Sequence, residues 1–431
     1  MKVLLISENR VEENLVPYPL GISYIAAAVR ARGHEVMGLD LMFGENPEEA
    51  VSAAIRDFEP DLVGVSIRNI DNQEMYSSVF FLPQAKKIIQ LARSQTKVPV
   101  VAGGAGFSIF PAECLEYLGL ELGVVGEGEG VFADLLDCLE RGEDPAEVPG
   151  VCAFREGKAI INGKGHPLDF ESVPFPDRES FDVSPYDFTP GKIPNFVANL
   201  QARRGCYMHC IYCTNPTIEG SEVRFREPSS VVDELALLRE KGIRTVHFVD
   251  SLFNLPGEYT ERLCREMVTR DLGMDWLCSY SPLNPDGRLL ELMRKAGCFA
   301  ISVGNESGSD AMLLSLRKDF AKDHIEKTIL GAKAAGLKVN CFLLLGGPGE
   351  SKESVFESVE FLTRLEPDSV RITVGLRIYP GCELADIAIA RGMISRGQNL
   401  LTPTFYLEPE VESWLYDFMV GVVKEKSGWY L

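Results

Sequence analysis

The feature that most restricts this chain is an alternation of short apolar runs with amphipathic stretches, which occurs twice and is interrupted once. The first series contains KVLLIS at 2–7, GISYIAAAVRARG, EVMGLD, a helical stretch near 47–57 and LVGVSI at 62–67. It continues with a helical stretch near 82–94, PVVAGG at 99–104, PAECLEYLG, LGVVGE at 122–127 and a helix from Gly130 to Arg141. Five strands separated by helices predict a doubly wound parallel sheet of Rossmann or flavodoxin type, because parallel neighbours need a long crossover connection. Ligands of such sheets bind beyond the carboxyl ends of the strands. Residues 142–194 break the rhythm with a hairpin pattern, VCAFREGKAIING, and a proline-rich acidic stretch, which together predict a connector with the boundary near 145–190.

A second alternation begins at Asn195, with strands near 195–201, 243–249, 276–281, 299–304, 338–345 and 369–376. Helices are expected at 229–240, at 323–335 with an Asp323–Glu326 capping box, and from Ser351 with Val355, Val359 and Leu362 on one face. Six such units predict a partial (β/α)6 barrel with its chemistry at the carboxyl ends of the strands, by analogy with the complete barrel.

Size and charge agree with this division. Single cores stop growing at roughly 250–300 residues, so 431 residues call for two domains and a connector. With 63 acidic against 43 basic residues and a formal charge of -20, the chain lacks the footprint of a protein that tracks nucleic acid. No apolar run approaches the ~18–20 residues that span a bilayer, and the amino end is too short in its apolar part for a signal peptide, so a cytoplasmic protein is expected. Eleven cysteines, an odd number, suit reduced thiols and a metal site rather than a disulfide framework.

The chemistry is concentrated after the first strand of the second series. RRGCYMHCIYCTNP places Cys206, Cys210 and Cys213 in one loop with CxxxCxxC spacing. Three thiolates can hold three irons of a four-iron cluster and leave the fourth iron open to a chelating ligand. A structural zinc ion wants four ligands, and the nearest spare donor, His209, is locked between two of the cysteines.

This loop resembles the signature of radical S-adenosylmethionine (SAM) enzymes, in which SAM chelates the open iron through its amino and carboxylate groups. The resemblance continues in order along 195–385. It implies that Tyr212 lies against the adenine, that Asp250 in FVDSLFN meets the SAM amino group, and that Glu306 in SVGNESGSD meets the ribose hydroxyls. It also implies that Gly346 and Gly347 in LLLGGPGES let the backbone approach the adenine, with LRIYPGCEL as the end of the sixth strand and Arg317 or Lys318 beside the SAM carboxylate. The other cysteines have no metal-like spacing and are read as small buried hydrophobes.

The amino-terminal half carries a second resemblance. VPYPLGISYIAAAVRARGHEVMGLD, GGAGFSIFPAE, VVGEGEG and LDFESVPFPDR look like the cobalamin-binding domain and linker found ahead of the barrel in cobalamin-dependent radical SAM enzymes. Gly103, Gly104 and Gly106 close one strand, and Gly126, Glu127, Gly128 and Gly130 follow the next, leaving bare loops beside a crevice. There is no DxHxxG motif to place a histidine beneath cobalt, and His34 opens its strand at the end away from the crevice. SIRNIDN instead presents Arg68, Asn69, Asp71 and Asn72 at the crevice end; Arg68 has no lone pair to give cobalt.

The resemblance implies residues 1–145 as a cobalamin-binding domain, 146–190 as a linker, 191–385 as a radical SAM barrel and 386–431 as a helical extension. It implies three cofactors, a [4Fe-4S] cluster, SAM and cobalamin, with an electron donor such as flavodoxin or ferredoxin. The implied reaction is C-methylation of an unactivated carbon in a small-molecule or peptide substrate, through a 5′-deoxyadenosyl radical and methylcobalamin. Ring closure, ring contraction or carbon–carbon bond formation with the same cofactors is the enzymatic alternative, and a corrinoid-binding redox sensor is the alternative of another class. A methylthiotransferase would need a second cysteine-rich cluster domain and a basic RNA module, and neither is visible.

Overall fold

The computed structural model describes residues 1–11, 15–163, 165, 168–187 and 196–431. The predicted boundary at residues 190–191, the start of the barrel strand at Asn195 and part of the linker lie outside the described residues. The chain divides into two units, one of residues 1–72, 79–198 and 217–219, the other of residues 73–78, 199–216 and 220–431.

In the first unit the strands are β1 (Lys2–Ser7), β2 (Glu35–Asp40), β3 (Leu62–Ser66), β4 (Val100–Gly103), β5 (Leu122–Val124), β6 (Val151–Arg155) and β7 (Lys158–Ile161). The sheet runs in the order β2-β1-β3-β4-β5-β6-β7, parallel through β5 and antiparallel beyond it. The helices are α1 (Leu20–Ala31), α2 (Pro47–Phe58), α3 (Leu82–Gln95), α4 (Pro111–Leu118) and α5 (Gly128–Glu140); α1 packs with α5, and α2 with α3. The central strand shows why: Val3, Leu4, Leu5 and Ile6 are all buried, so both faces of β1 need helical cover. Each such side chain stabilises the fold by about 1.5–3 kcal/mol relative to exposure. Asn46 caps α2 by accepting from the N–H of Glu49 at 3.1 Å, with Pro47 at the first helical position.

Two readings of the linker need correction. The hairpin is not a free connector: β6 pairs with β5 and covers what would otherwise be an open sheet edge. Residues 168–187 are also tied to the first unit. Asp177 pairs with Arg30 at 2.6 Å, its N–H donates to the carbonyl of Ser23, and the Tyr186 hydroxyl donates to Asp40.

The second unit contains the end of β8 (Phe196–Leu200), then β9 (Thr245–Phe248), β10 (Asp275–Tyr280), β11 (Cys298–Glu306), β12 (Lys338–Leu345), β13 (Ser369–Val374) and β14 (Trp429–Tyr430). Between them lie α6 (Pro228–Glu240), α7 (Gly257–Arg270), α8 (Gly287–Lys295), α9 (Lys322–Ala334), α10 (Lys352–Leu365) and α11 (Leu415–Glu425). The strands stand in sequence order, β9 through β14 in parallel, as a partial barrel requires. The 386–431 extension is not wholly helical, because β14 adds itself to the exposed edge of β13. The capping box also fails. Asp323 lies inside α9 and pairs with Lys327, Glu326 pairs with Arg364, and the first N–H of the turn, at Ala321, donates to Nδ1 of His324. Ser351 does cap α10, in a reciprocal exchange with Ser354.

Burial alternates along these strands. Val339, Cys341, Leu343 and Leu345 on β12 are buried, as are Val370, Ile372 and Val374 on β13; Asn340, Phe342, Leu344, Arg371 and Thr373 are half-buried. Register places Ser279, Ser302, Asn340 and Ser369 in one row across β10–β13. The apolar set faces the helices, and the half-buried, more polar set forms the other face of the sheet.

Candidate active site

The cysteine loop leaves a rigid stem. Gly205 has φ +92°, and a Cβ there would lie 2.0 Å from the carbonyl oxygen of Glu222, so the stem admits only glycine. Arg203, fully buried, donates to the carbonyl of Leu255 (2.8 Å) and to the Thr260 hydroxyl (3.1 Å), and lies over the ring of Tyr259. Asp250 Oδ1 accepts from the N–H groups of Ala202 and Arg203, at 2.8 and 3.0 Å. The acidic residue assigned to the SAM amino group therefore sits buried, braced against the backbone that leads into the loop.

Beyond the stem, the N–H of Cys206 donates to Gly220, the N–H of Cys213 to Cys210, and the thiol of Cys382 to the carbonyl of Cys213 at 3.3 Å. Met208, Leu252 and Leu255 pack with Cys206, with Cys210 and Leu283 beside them. All three loop cysteines are free thiols, and burial pushes the Cys206 thiol up to about 11, so iron must displace protons here. The donor set fits a cluster better than one zinc ion. Three thiolates leave a zinc ion one ligand short of the four that a structural site wants. His209, the spare donor, is exposed.

Next to the loop the fold assembles three of the residues singled out in the sequence. The Tyr212 hydroxyl donates to Glu306 Oε1 at 2.9 Å, Lys318 Nζ lies 3.1 Å from the same oxygen, and Lys318 also sits 5.3 Å from the centre of the Tyr212 ring. Burial opposes the charge on Lys318, but Glu306 and Tyr212 outweigh it and hold the ammonium above its ordinary value. Glu306 occupies the left-handed region at φ +58°, a conformation that a non-glycine residue keeps only where its surroundings enforce it. Arg317 turns outward and pairs with Glu383 at 2.7 Å, which leaves Lys318 as the cation of this network.

The glycine-rich turn is held by a residue that the sequence reading passed over. Gly346 has φ +91°, and its N–H donates to Oε2 of Glu350, which is fully buried, also accepts from the Ser354 hydroxyl, and is pushed up to about 7 by burial. A Cβ on Gly346 would lie 2.3 Å from Leu407, and one on Gly347 would lie 3.2 Å from Leu316. Glu350 stands within the GGPGES segment, so its signal was a carboxylate three residues beyond paired glycines. His247 is a second omission: it shares the polar face of the sheet through its pairing with Leu277, and burial lowers its imidazole to about 4, so it is neutral near pH 7. Strict alternation along a four-residue strand was its only sequence signal.

In the first unit, the order β2-β1-β3 puts the topological switch point between β1 and β3. Beyond β1 lies Glu8, buried, with its carboxyl pushed up to about 8. Beyond β3 lie Arg68, exposed, and Asn69, half-buried. A Cβ on Gly104 (φ +101°) would lie 2.7 Å from the Ile67 carbonyl oxygen, and one on Gly106 would lie 3.1 Å from Asn69. Gly106 also donates its N–H to the carbonyls of Ile67 and Arg68. Gly103 has less need of its hydrogen, its nearest contact being 3.6 Å away, and Gly128 packs on Ile25. Gly126 (φ +76°) faces open space, with Glu127 half-buried beside it. These loops offer bare backbone and room, which is what a crevice for a large nucleotide-bearing ligand needs. His34 lies at the amino end of β2, engaged with Asp137, Glu140 and the amino group of Met1.

Glu306→Ala should weaken SAM binding by roughly 10- to 100-fold, the worth of one or two hydrogen bonds to a charged group, and leave iron content unchanged. Equilibrium dialysis beside iron analysis checks this; unchanged affinity would place the ribose contact elsewhere.

Comparison with known proteins gives two family matches, the B12 binding domain over residues 12–136 and the radical SAM superfamily over residues 201–362. The tryptophan 2-C-methyltransferase of Streptomyces laurentii is 28% identical over 446 residues, covering 89% of this chain and 74% of its own length. The anaerobic magnesium-protoporphyrin IX monomethyl ester cyclase of Rubrivivax gelatinosus is 25% identical, covering 81% of this chain and 62% of its own. Among solved structures, the radical SAM methyltransferase TsrM from Kitasatospora setae, with cobalamin and a [4Fe-4S] cluster bound, superposes with a TM-score of 0.80 at 26% identity, over 90% of this chain and 75% of that one.

Proposed function

We propose that this chain, which belongs to the cobalamin-dependent radical SAM enzymes, methylates an unactivated carbon of a small molecule. The observation that carries the reading is the Tyr212–Glu306–Lys318 network beside the Cys206, Cys210 and Cys213 loop. When bound, the cluster supplies one-electron reduction of SAM and cobalamin supplies methyl transfer, so the protein's own part is positioning and exclusion of side reactions.

In this reading Cys206, Cys210 and Cys213 hold three irons. Tyr212 and Glu306 orient the nucleoside of SAM, Lys318 pairs with Glu306, and Glu350 fixes the turn at Gly346 and Gly347. Asp250 and Arg203 hold the stem. In the first unit Arg68, Asn69 and the loops at Gly103–Gly106 and Gly126–Gly128 would hold the corrinoid, and the Arg68 guanidinium has no lone pair to offer a metal. Among the described residues no helix is long and apolar enough to cross a membrane; a cytoplasmic location and a small electron donor such as flavodoxin or ferredoxin belong to this reading. The residue limits 1–145, 146–190, 191–385 and 386–431 stand as the proposed division, with the linker fastened to the first unit.

Ring closure without methyl transfer is the second reading, favoured by the likeness to the cyclase. Anaerobic turnover with deuteromethyl SAM separates the two. Label on a product carbon, with S-adenosylhomocysteine released, supports methylation; 5′-deoxyadenosine with an unlabelled product would select the alternative.

A further inference from the structure

The segment 386–431 does more than cover one edge of the sheet. Phe405 and Tyr406 pair antiparallel with Leu376 and Arg377, just after β13, and the residues that follow come down on the turn at Gly346–Gly349. The Glu408 N–H donates to the Gly346 carbonyl at 2.9 Å, and Glu408 Oε2 accepts the Gly349 N–H at 2.7 Å. One residue thus bridges both ends of the turn. Leu407 occupies the place beside Gly346 that a Cβ would need, 2.3 Å away.

The Glu408 carboxylate is itself held from outside the turn. Arg391 Nη1 reaches both of its oxygens, at 2.7 and 2.6 Å, and the Tyr406 hydroxyl donates to Oε2 at 2.9 Å. Burial opposes the charge, but the Gly349 N–H, Arg391 and Tyr406 outweigh it and keep the carboxyl below its ordinary value. Such ties matter here because Gly346, Gly347 and Gly349 have the freest of backbones and settle into one geometry only where something imposes it. A second set comes from Glu350, whose side chain takes the Gly346 N–H and whose own N–H donates to the Gly347 carbonyl at 3.0 Å. The Ser315 hydroxyl donates to the Pro348 carbonyl. Gly347 is buried, yet no described residue accepts its N–H. A buried backbone donor without a partner is rare in a folded chain, and a ligand would complete it.

We propose that Glu408 is a positioning residue for the nucleoside of SAM, setting the turn at Gly346–Gly349 so that the Gly347 N–H faces the bound base. This rests on the reading that the turn meets the nucleoside. The carboxyl-terminal segment is then a working part of that site. Glu408 acts through the turn and not at the open iron, so its removal should affect the nucleoside end of SAM and spare the methionine end.

The test uses the cluster-reconstituted full chain under anaerobic conditions with two probes. One is 5′-deoxyadenosine, measured by equilibrium dialysis with saturating L-methionine present. The other is L-methionine alone, read from the change it causes in the paramagnetic resonance spectrum of the reduced cluster. The parent protein is expected to respond to both. Glu408→Ala should weaken 5′-deoxyadenosine and SAM by roughly tenfold or more, the worth of a hydrogen bond to a charged group, with the methionine response and iron content unchanged. Glu408→Gln keeps an acceptor for the Gly349 N–H and should be intermediate. Tyr406→Phe keeps the buried ring and removes only the O–H, so a loss of roughly two- to tenfold is expected there. That variant keeps the test open if Glu408→Ala misfolds. Unchanged nucleoside affinity in Glu408→Ala and Tyr406→Phe, or an equal loss of both probes, would overturn the positioning role. A parent protein that answered methionine but bound no 5′-deoxyadenosine would overturn the nucleoside reading of the turn and this role with it, so the two failures are told apart by the parent alone.

Discussion

Replacing Cys206, Cys210 and Cys213 together with alanine should yield a folded chain without iron. The stem of the loop does not depend on the metal: Asp250 holds two backbone N–H groups, Arg203 is boxed among aromatic rings, and Gly205 fits under the Glu222 carbonyl. Circular dichroism should therefore match the parent protein while the iron content falls from about four per chain to background and the sulfur-to-iron absorbance disappears. Cys278 and Cys298 are buried, and the Cys298 thiol donates to the Ala300 carbonyl, so replacing both with alanine should lower stability but keep the iron. A triple variant that retained full iron would end the cluster assignment.

The second large effect is expected in the first unit, at Gly104. Its φ of 101° and ψ of 174° lie where glycine alone is comfortable, and a Cβ would press on the Ile67 carbonyl at 2.7 Å. That carbonyl also accepts the N–H of Gly106, which donates to the Arg68 carbonyl as well. Backbone strain of about 1–3 kcal/mol, added to a displaced carbonyl, should make Gly104→Ala lose both thermal stability and cobalamin retention. Gly130, inside α5 with nothing within 4 Å of its added Cβ, is the control. Gly130→Ala should be neutral or stabilising by about 0.5–1 kcal/mol, with the corrinoid retained on gel filtration. Equal retention in both variants would separate the glycine loop from cobalamin binding.

What could be read from the sequence follows from the range of the forces involved. The five parallel strands of the first unit and the six of the partial barrel were legible because each is a compact apolar run, and the cysteine loop because its spacing is local. Partners distant in sequence were not. Asp250 is an acidic residue at the end of a strand, and nothing local in the sequence tells that its Oδ1 accepts from the N–H groups of residues 202 and 203. The excursion at 73–78 carries no periodicity, and β14 is two residues long, so neither had a pattern to find. Asp323 looked like a cap because an acidic residue three before Glu326 fits the motif; its bond to Lys327 within α9 is the stronger local alternative.

In the proposed reaction one chain moves the methyl group of SAM by way of a corrinoid. The direct measurement is anaerobic incubation of the protein, reconstituted with iron, sulfide and reduced cobalamin, with deuteromethyl SAM and no added substrate, followed by mass analysis of the extracted corrinoid and of the nucleoside products. Deuteromethyl label on cobalamin is expected, with S-adenosylhomocysteine in matching amount, and loss of both in the Gly104→Ala variant. An unlabelled corrinoid, with SAM intact or cleaved only to 5′-deoxyadenosine, would contradict it.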